Sequence, residues 1–138
     1  MKRSVGVVGL GYVGSSLAQT FCEKFHVESY DLNKKSTTSS IEELCSKTEL
    51  IFVCVPTPMR KDGSCDTTIV ESVCQEIDKS ANGHVVVIKS TIVPGTTKSI
   101  SKKLKNSLLV FNPEFLTEAN ALNDFKNQDR IIIGSIDT

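Results

Sequence analysis

Three glycines stand at a spacing that lets backbone, not side chain, hold an anion. They lie in Gly9-Leu10-Gly11-Tyr12-Val13-Gly14, directly after the apolar run Val5-Gly6-Val7-Val8 and at the start of a segment with helical period. In such a pattern Gly9 permits a tight turn, Gly11 lets a diphosphate approach the backbone, and Gly14 lets the helix pack against its strand. Free amides at the helix start, with the helix dipole behind them, supply the positive field. A second short run ends in Tyr30-Asp31, and Asp31 lies 20 residues after Gly11. A carboxylate at that position accepts hydrogen bonds from an adenosine ribose. Together these residues can bind a dinucleotide. Asp31 repels a 2′-phosphate, which favours NAD over NADP; Lys34 and Lys35 soften that preference, since a nearby cation accommodates the phosphate. FAD is an alternative whose usual companion motifs are absent.

Further reactive residues sit just after other apolar runs. One exit reads Val55-Pro56-Thr57-Pro58, another Lys89-Ser90-Thr91 followed by Val93-Pro94-Gly95-Thr96, and a third Phe111-Asn112-Pro113-Glu114-Phe115-Leu116-Thr117-Glu118. Glu114 and Glu118 are four apart, so on a helix both project from one face. Two close carboxylates resist double ionisation, which lets one act as acid and the other as base. Equally, Glu118 can be a first-turn residue favoured by the dipole; spacing alone does not choose. Of the five cysteines, Cys22, Cys45, Cys54 and Cys74 fall on apolar phases and read as small core residues, while Cys65 sits in a loop. Their odd number and the lack of a Cys-x-x-Cys pair argue against a disulfide framework. His26 and His84 have no partner at metal-ligand spacing and read as structural, so no metal is expected.

Six apolar runs must position these residues: Val5–Val8, Val27–Tyr30, Leu50–Val55, Val85–Ile88, Leu108–Phe111 and Ile131–Ile133. Most are continuous and β-branched, as strands are when both sheet faces are covered. Helical stripes separate them. Val13, Leu17 and Phe21 form one, with Ala18, Cys22 and Phe25 beside it. Ile41, Leu44 and Cys45 form a second, with Ser40 and Glu43 as a capping box. Ile69, Val70, Val73, Cys74 and Ile77 follow Asp66 as N-cap; Ile100 and Leu104 mark a fourth, and Ala119, Leu122 and Phe125 a fifth opened by Thr117. Strand–helix alternation with short connections implies parallel strands and right-handed crossovers. The expected fold is α/β: a Rossmann-type, doubly wound, six-stranded and mainly parallel sheet in a three-layer αβα sandwich. All strand exits then share one edge, and ligands bind outside it where strand order reverses. Lys34–Ser40 and Met59–Cys65 read as polar loops, the latter turning at Asp62-Gly63.

The 138 residues make one domain, with no repeat or linker. Sixteen basic and sixteen acidic residues cancel, which disfavours nucleic-acid binding through phosphate neutralisation. No apolar run reaches the ~20 residues that span a bilayer. The start Met1-Lys2-Arg3-Ser4-Val5 is basic, but Gly and Tyr interrupt the stretch after it, making a poor signal peptide; a cytoplasmic location is expected.

Taken in order, Val7 to Gly14, Val53 to Pro58, Lys89-Ser90-Thr91 with Pro94-Gly95-Thr96, Asn112 to Glu118 and the closing Asp129-Arg130-Ile131-Ile132-Ile133-Gly134 resemble the N-terminal domain of UDP-glucose/GDP-mannose dehydrogenases across essentially the whole chain. The resemblance implies oxidation of a nucleotide sugar's C6 alcohol to a carboxylate with NAD, a step serving polysaccharide biosynthesis. It implies that Gly11, Tyr12, Val13 and Gly14 hold the pyrophosphate and Asp31 the ribose. Val55, Pro56, Thr57 and Ser90 line the cofactor cleft, and Thr91 and Glu118 lie near the nicotinamide and reacting carbon. Glu114 matches a glutamate with an acid/base role, and Phe115-Leu116 a segment that contacts the sugar nucleotide.

The chain also departs from that family. The family's catalytic cysteine, with a lysine and an asparagine, lies beyond residue 138, in the central helical and C-terminal regions, and none of the five cysteines replaces it. The segment from Asp31 to Leu50 is short, and Ser36 stands where many members carry a basic residue near the ribose, a role Lys35 can take. The chain alone is therefore expected to bind NAD and not to oxidise UDP-glucose. A complementing chain with the missing domains and a homodimer are both open as partners. Two other readings stand beside this one: a free-standing NAD-binding module, and a β-hydroxyacid dehydrogenase-like domain, which the Val-Pro-Thr-Pro and Asn-Pro-Glu-Phe-Leu segments disfavour.

Overall fold

The computed structural model describes residues 3–80 and 83–136; Met1 and Lys2, which open the basic start weighed above as a signal peptide, lie outside them. Five apolar runs form strands: β1 (Ser4–Val8), β2 (His26–Tyr30), β3 (Leu50–Val53), β4 (Val85–Ile88) and β5 (Leu108–Phe111). Helices alternate with them: α1 (Tyr12–Phe21), α2 (Ile41–Lys47), α3 (Thr68–Asp78), α4 (Thr96–Ser101) and α5 (Ala121–Lys126), the last preceded by a 3-10 turn, Glu118–Asn120. With β6 (Gly134–Ser135) the sheet order is β2-β1-β3-β4-β5-β6. The first five strands pair in parallel and β6 runs antiparallel to β5. From β1 the chain goes out to β2 on one side, then returns to β3 on the other. Strand order therefore reverses at the exits of β1 and β3.

Period-two alternation sorts the strand side chains into two cores. Val8, Ile51, Val53, Val86, Ile88 and Leu109 face α2, α3 and α4, which contribute Leu44, Ile77 and Ile100. Val5, Val7, Phe52 and Val87 face α1 and α5 through Leu17 and Phe125. Both faces are covered, which is why the central strands read as unbroken apolar runs. Each fully buried Leu or Ile contributes about 1.5–3 kcal/mol. The Phe21 ring meets Phe25, Phe52 and Phe125, tying α1 to β3 and α5.

β2 is an edge strand, and the loop after it blunts that edge. Ser29 gives its amide to the Thr37 hydroxyl, and its carbonyl accepts from the Thr38 amide and hydroxyl. At Ser29 the outward backbone groups are therefore closed to pairing with another strand.

Several local expectations are corrected. Ile131–Ile133 is not the sixth strand: all three side chains are exposed, and the chain joins the sheet only at Gly134. The Asn112 side-chain amide donates to the Ile132 carbonyl, so this run crosses the β5 exit instead of extending the sheet. A β-branched run signals a strand only where a sheet edge receives it. Cys22 is exposed because α1 ends at Phe21 and leaves it as the C-cap. The N-cap of α3 is Thr67; Asp66 instead accepts the Thr68 amide from one position further out. Ser40 does accept the Glu43 amide, but the return bond to Glu43 comes from Ser39. Thr117 does open the fifth helical segment, as N-cap of the 3-10 turn Glu118–Asn120 that runs into α5, and it donates its amide and hydroxyl to Asp124.

Candidate functional site

β1 ends in a turn whose three glycines have three different surroundings. Gly9 has φ +92°, and a Cβ there would lie 2.7 Å from the Cys54 carbonyl oxygen, so both conformation and the neighbouring β3 exit demand glycine. A Cβ on Gly14 would lie 1.8 Å from the Gly9 carbonyl oxygen, because α1 folds back tightly on the turn. At Gly11 nothing lies within 4 Å of that position. Packing demands the first and third glycines; at the second the space is open. Gly11 is the N-cap of α1 and has no side chain to cap it, so the first-turn amides face that space.

Leu10 is held through both its amide and its carbonyl. Its amide donates to Asp31 Oδ2 at 2.7 Å, and its carbonyl accepts from Ser15 Oγ at 2.8 Å and Lys34 Nζ at 2.7 Å. Asp31 Oδ1 accepts the amides of Asn33 and Lys34, both at 2.8 Å. Burial pushes the Asp31 carboxyl up, but these three amides and the Lys34 charge outweigh it and hold it below the ordinary range. The β2 exit is thereby fastened to the glycine turn.

An open cleft of about 460 Å³ lies over this turn, lined by Gly11, Tyr12, Ser15, Lys34, Glu118 and Leu122 among others. Of the residues expected at the cofactor, Gly11, Tyr12 and Glu118 are in its lining. Asp31 is not in that lining and is bonded to Leu10. Lys34, not Lys35, is the cation at its wall. Ser15 and Leu122 line it without a sequence signal for that place: Ser15 is a polar residue between apolar phases of α1, and Leu122 lies on the helical stripe with Phe125 but is 38% exposed.

The exits of β3 and β4 are stitched together. Ser90 Oγ donates to the Val55 carbonyl at 2.7 Å, and Thr57 Oγ1 donates to the Thr91 carbonyl at 2.7 Å. Cys65 Sγ reaches the same carbonyl at 3.7 Å from the Met59–Cys65 hairpin. This places Val55, Pro56, Thr57, Ser90 and Thr91 side by side, with Pro56 and Thr91 exposed.

The expected carboxylate pair is not formed. Residues 112–117 are not helical, so Glu114 and Glu118 do not share a helix face. The Glu114 side chain is 7% exposed, and its Oε2 lies 2.8 Å from Lys89 Nζ, itself 2% exposed. That contact is an ion pair without directed hydrogen-bond geometry. Lys89 also donates to Asn112 Oδ1 at 2.9 Å and lies over the Phe125 ring, while Glu114 Oε1 accepts the Phe115 amide. Glu118, by contrast, is exposed on the cleft. Burial raises the thiols of Cys45 to about 11 and of Cys54 and Cys74 to about 12, which removes them as nucleophiles near neutrality.

A reversing parallel sheet with an open glycine turn and a carboxylate at the next strand exit defines a Rossmann-type dinucleotide-binding domain. The family described as "UDP-glucose/GDP-mannose dehydrogenase family, NAD binding domain" matches residues 27–138, and the chain belongs to it. A UDP-glucose 6-dehydrogenase of Campylobacter jejuni is 37% identical over 122 residues, covering 87% of this chain and 30% of that protein. The solved UDP-glucose dehydrogenase of Pyrobaculum islandicum superposes with TM-score 0.85 at 30% identity, covering 99% of this chain and 41% of that one. The glycine turn precedes the family match, and this superposition includes it. A 3-hydroxyisobutyrate dehydrogenase of Mycobacterium tuberculosis superposes with TM-score 0.73 at 14% identity over 89% of this chain and 44% of that one, a likeness of fold alone. The chain thus spans about a third of the length of such relatives and is their NAD-binding part. Among the described residues no helix is long and apolar enough to cross a membrane.

Proposed function

We propose that this chain is the NAD-seating part of a nucleotide-sugar 6-dehydrogenase, with the nucleophile and most of the sugar-nucleotide site supplied by further polypeptide. The observation that carries the reading is the open space above Gly11, between two glycines whose own Cβ positions are filled. The residues present fit the cofactor: α1 amides point to an unobstructed cleft, and Asp31 keeps an acceptor position beyond its three amide bonds.

In this reading the amides of Gly11, Tyr12, Val13 and Gly14 bind the pyrophosphate, and Asp31, with Lys35 nearby, orients the adenosine ribose. Val55, Pro56, Thr57, Ser90 and Thr91 border the nicotinamide half, held in register by the Ser90 and Thr57 hydroxyl bonds. Bound NAD supplies a hydride acceptor for a sugar alcohol. Thr91 and Glu118 are the groups left to orient that alcohol and to hold or move its proton, because both are exposed. Glu114, neutralised by Lys89, anchors the chain that leads to Phe115 and Glu118. Exposed Phe115, Ile131, Ile132 and Ile133 supply apolar surface that the rest of such an enzyme covers.

Calorimetric titration tests the reading. The purified chain binds NAD, and Gly11→Ala lowers affinity at least about tenfold by filling the phosphate approach, with its melting temperature unchanged. Adding UDP-glucose or GDP-mannose to the chain and NAD yields no NADH. Absence of NAD binding, or sugar-dependent NADH production by the chain alone, overturns it.

A further inference from the structure

The β2 exit carries a charge arrangement that an NAD site does not require. An ionised carboxylate offers about four acceptor positions. Asp31 commits three to the amides of Leu10, Asn33 and Lys34. At most one remains for the two hydroxyls of an adenosine ribose. A carboxylate at this position selects an unphosphorylated ribose in two ways: it binds the hydroxyls and it repels a 2′-phosphate. Its committed lone pairs weaken the first here.

The second is offset by position and charge. Lys34 Nζ donates to the Leu10 carbonyl at 2.7 Å, on the same residue whose amide binds Asp31, so ammonium and carboxylate are fastened to the two successive peptides that flank one Cα. Lys34 lines the cleft and is exposed, leaving further N–H donors able to reach a phosphate without displacing packed structure. Lys35 adds a second cation, and between Asp31 and Ile41 there is no other acidic residue. Glu43, the acid next after Glu42, is committed to Ser39 and Lys47. Over residues 31–41 the balance is one acid against two bases, and Glu118 is the carboxylate that shares the cleft lining with Lys34.

We infer that Lys34 is a specificity-determining residue that admits a 2′-phosphorylated dinucleotide, NADP, beside NAD. The inference rests on the dinucleotide site proposed above. Its phosphate ligand is the Lys34 ammonium, with Lys35 as supporting charge and Asp31 held back by its own turn.

Calorimetry with NAD and NADP, each titrated separately into the wild-type chain and into Lys34→Ala, tests it. The expected wild-type dissociation constants lie within about thirtyfold of each other. Lys34→Ala weakens NADP at least about fivefold more than NAD, the size of a charge-assisted bond at an exposed site. Circular dichroism melts of the two proteins coincide. A wider gap in the wild type, or equal losses for both dinucleotides in the variant, overturns the inference while leaving the NAD site standing. Failure of the wild type to bind NAD at all overturns the site itself.

Discussion

Gly11 and Gly14 belong to one motif, yet the physics at each is different. At Gly14 an added methyl meets a carbonyl oxygen at 1.8 Å, which only a shift of α1 or of the turn relieves. Gly14→Ala is expected to cost about 1–3 kcal/mol by overpacking, read as a lower urea midpoint. Gly11→Ala meets open space and leaves the midpoint unchanged, so any loss of NAD binding there reports on the ligand alone. The Lys89–Glu114 pair is a second contrast. Both side chains are nearly inaccessible, so Lys89→Met strands a carboxylate in the interior and is expected to cost about 3–5 kcal/mol. Lys89→Met with Glu114→Leu removes both charges and is expected to recover most of that in the same urea unfolding. If the double variant is no more stable than the single, the ion pair is not the reason for the loss.

At the scale of elements, the C-terminal end of α3 is joined to the segment before β5 by the side chains of Asp78 and Asn106. Asp78 accepts the amides of Lys105, Asn106 and Ser107, and its backbone carbonyl accepts from the Asn106 side chain. This carboxylate aligns the connection that delivers Leu108 into register with Val85. Asp78→Ala is expected to cost about 2 kcal/mol, since three amides lose a charged acceptor. Faster amide exchange at residues 105–107 would mark the local cause. The element order was legible from apolar runs, because parallel strands buried on both faces leave unbroken β-branched segments. The same signal misled at Ile131–Ile133, where nothing in three consecutive isoleucines shows that the chain there crosses the β5 exit in solvent. Glu114 and Glu118 misled for a related reason: a spacing of four means a shared face only on a helix, and residues 112–117 are not helical.

For the whole molecule, titration sets a pH window. Glu28 is held below its ordinary range by the Thr37 hydroxyl against the opposing effect of burial, and Asp31 and Asp78 by backbone amides that outweigh burial. The unfolded chain binds protons at these groups more tightly than the native one. Their contribution is complete above the unfolded pKa of about 4 and is lost as pH falls through the lower native values. The buried thiols work in the opposite sense. Native Cys45, Cys54 and Cys74 stay protonated up to about 11 to 12, whereas unfolded thiols ionise lower. Stability is therefore expected to hold a plateau from about pH 5 to 8.5, falling on either side. Melting temperatures across that range check it; a maximum at pH 3 would contradict the carboxylate assignments.

Composition and local pattern by themselves determined the class of fold, the glycine turn and the offset of Asp31 from it, because each is written in short-range periodicity or in a fixed offset between neighbouring elements. Tertiary structure alone decided that Asp31 accepts the Leu10 amide of that turn beside those of Asn33 and Lys34, that Lys34 stands at the cleft, and that Glu114 is buried against Lys89 while Glu118 faces solvent. Those outcomes depend on distances between residues far apart in the chain, and a sequence pattern carries no information about which of several reachable partners a side chain will meet.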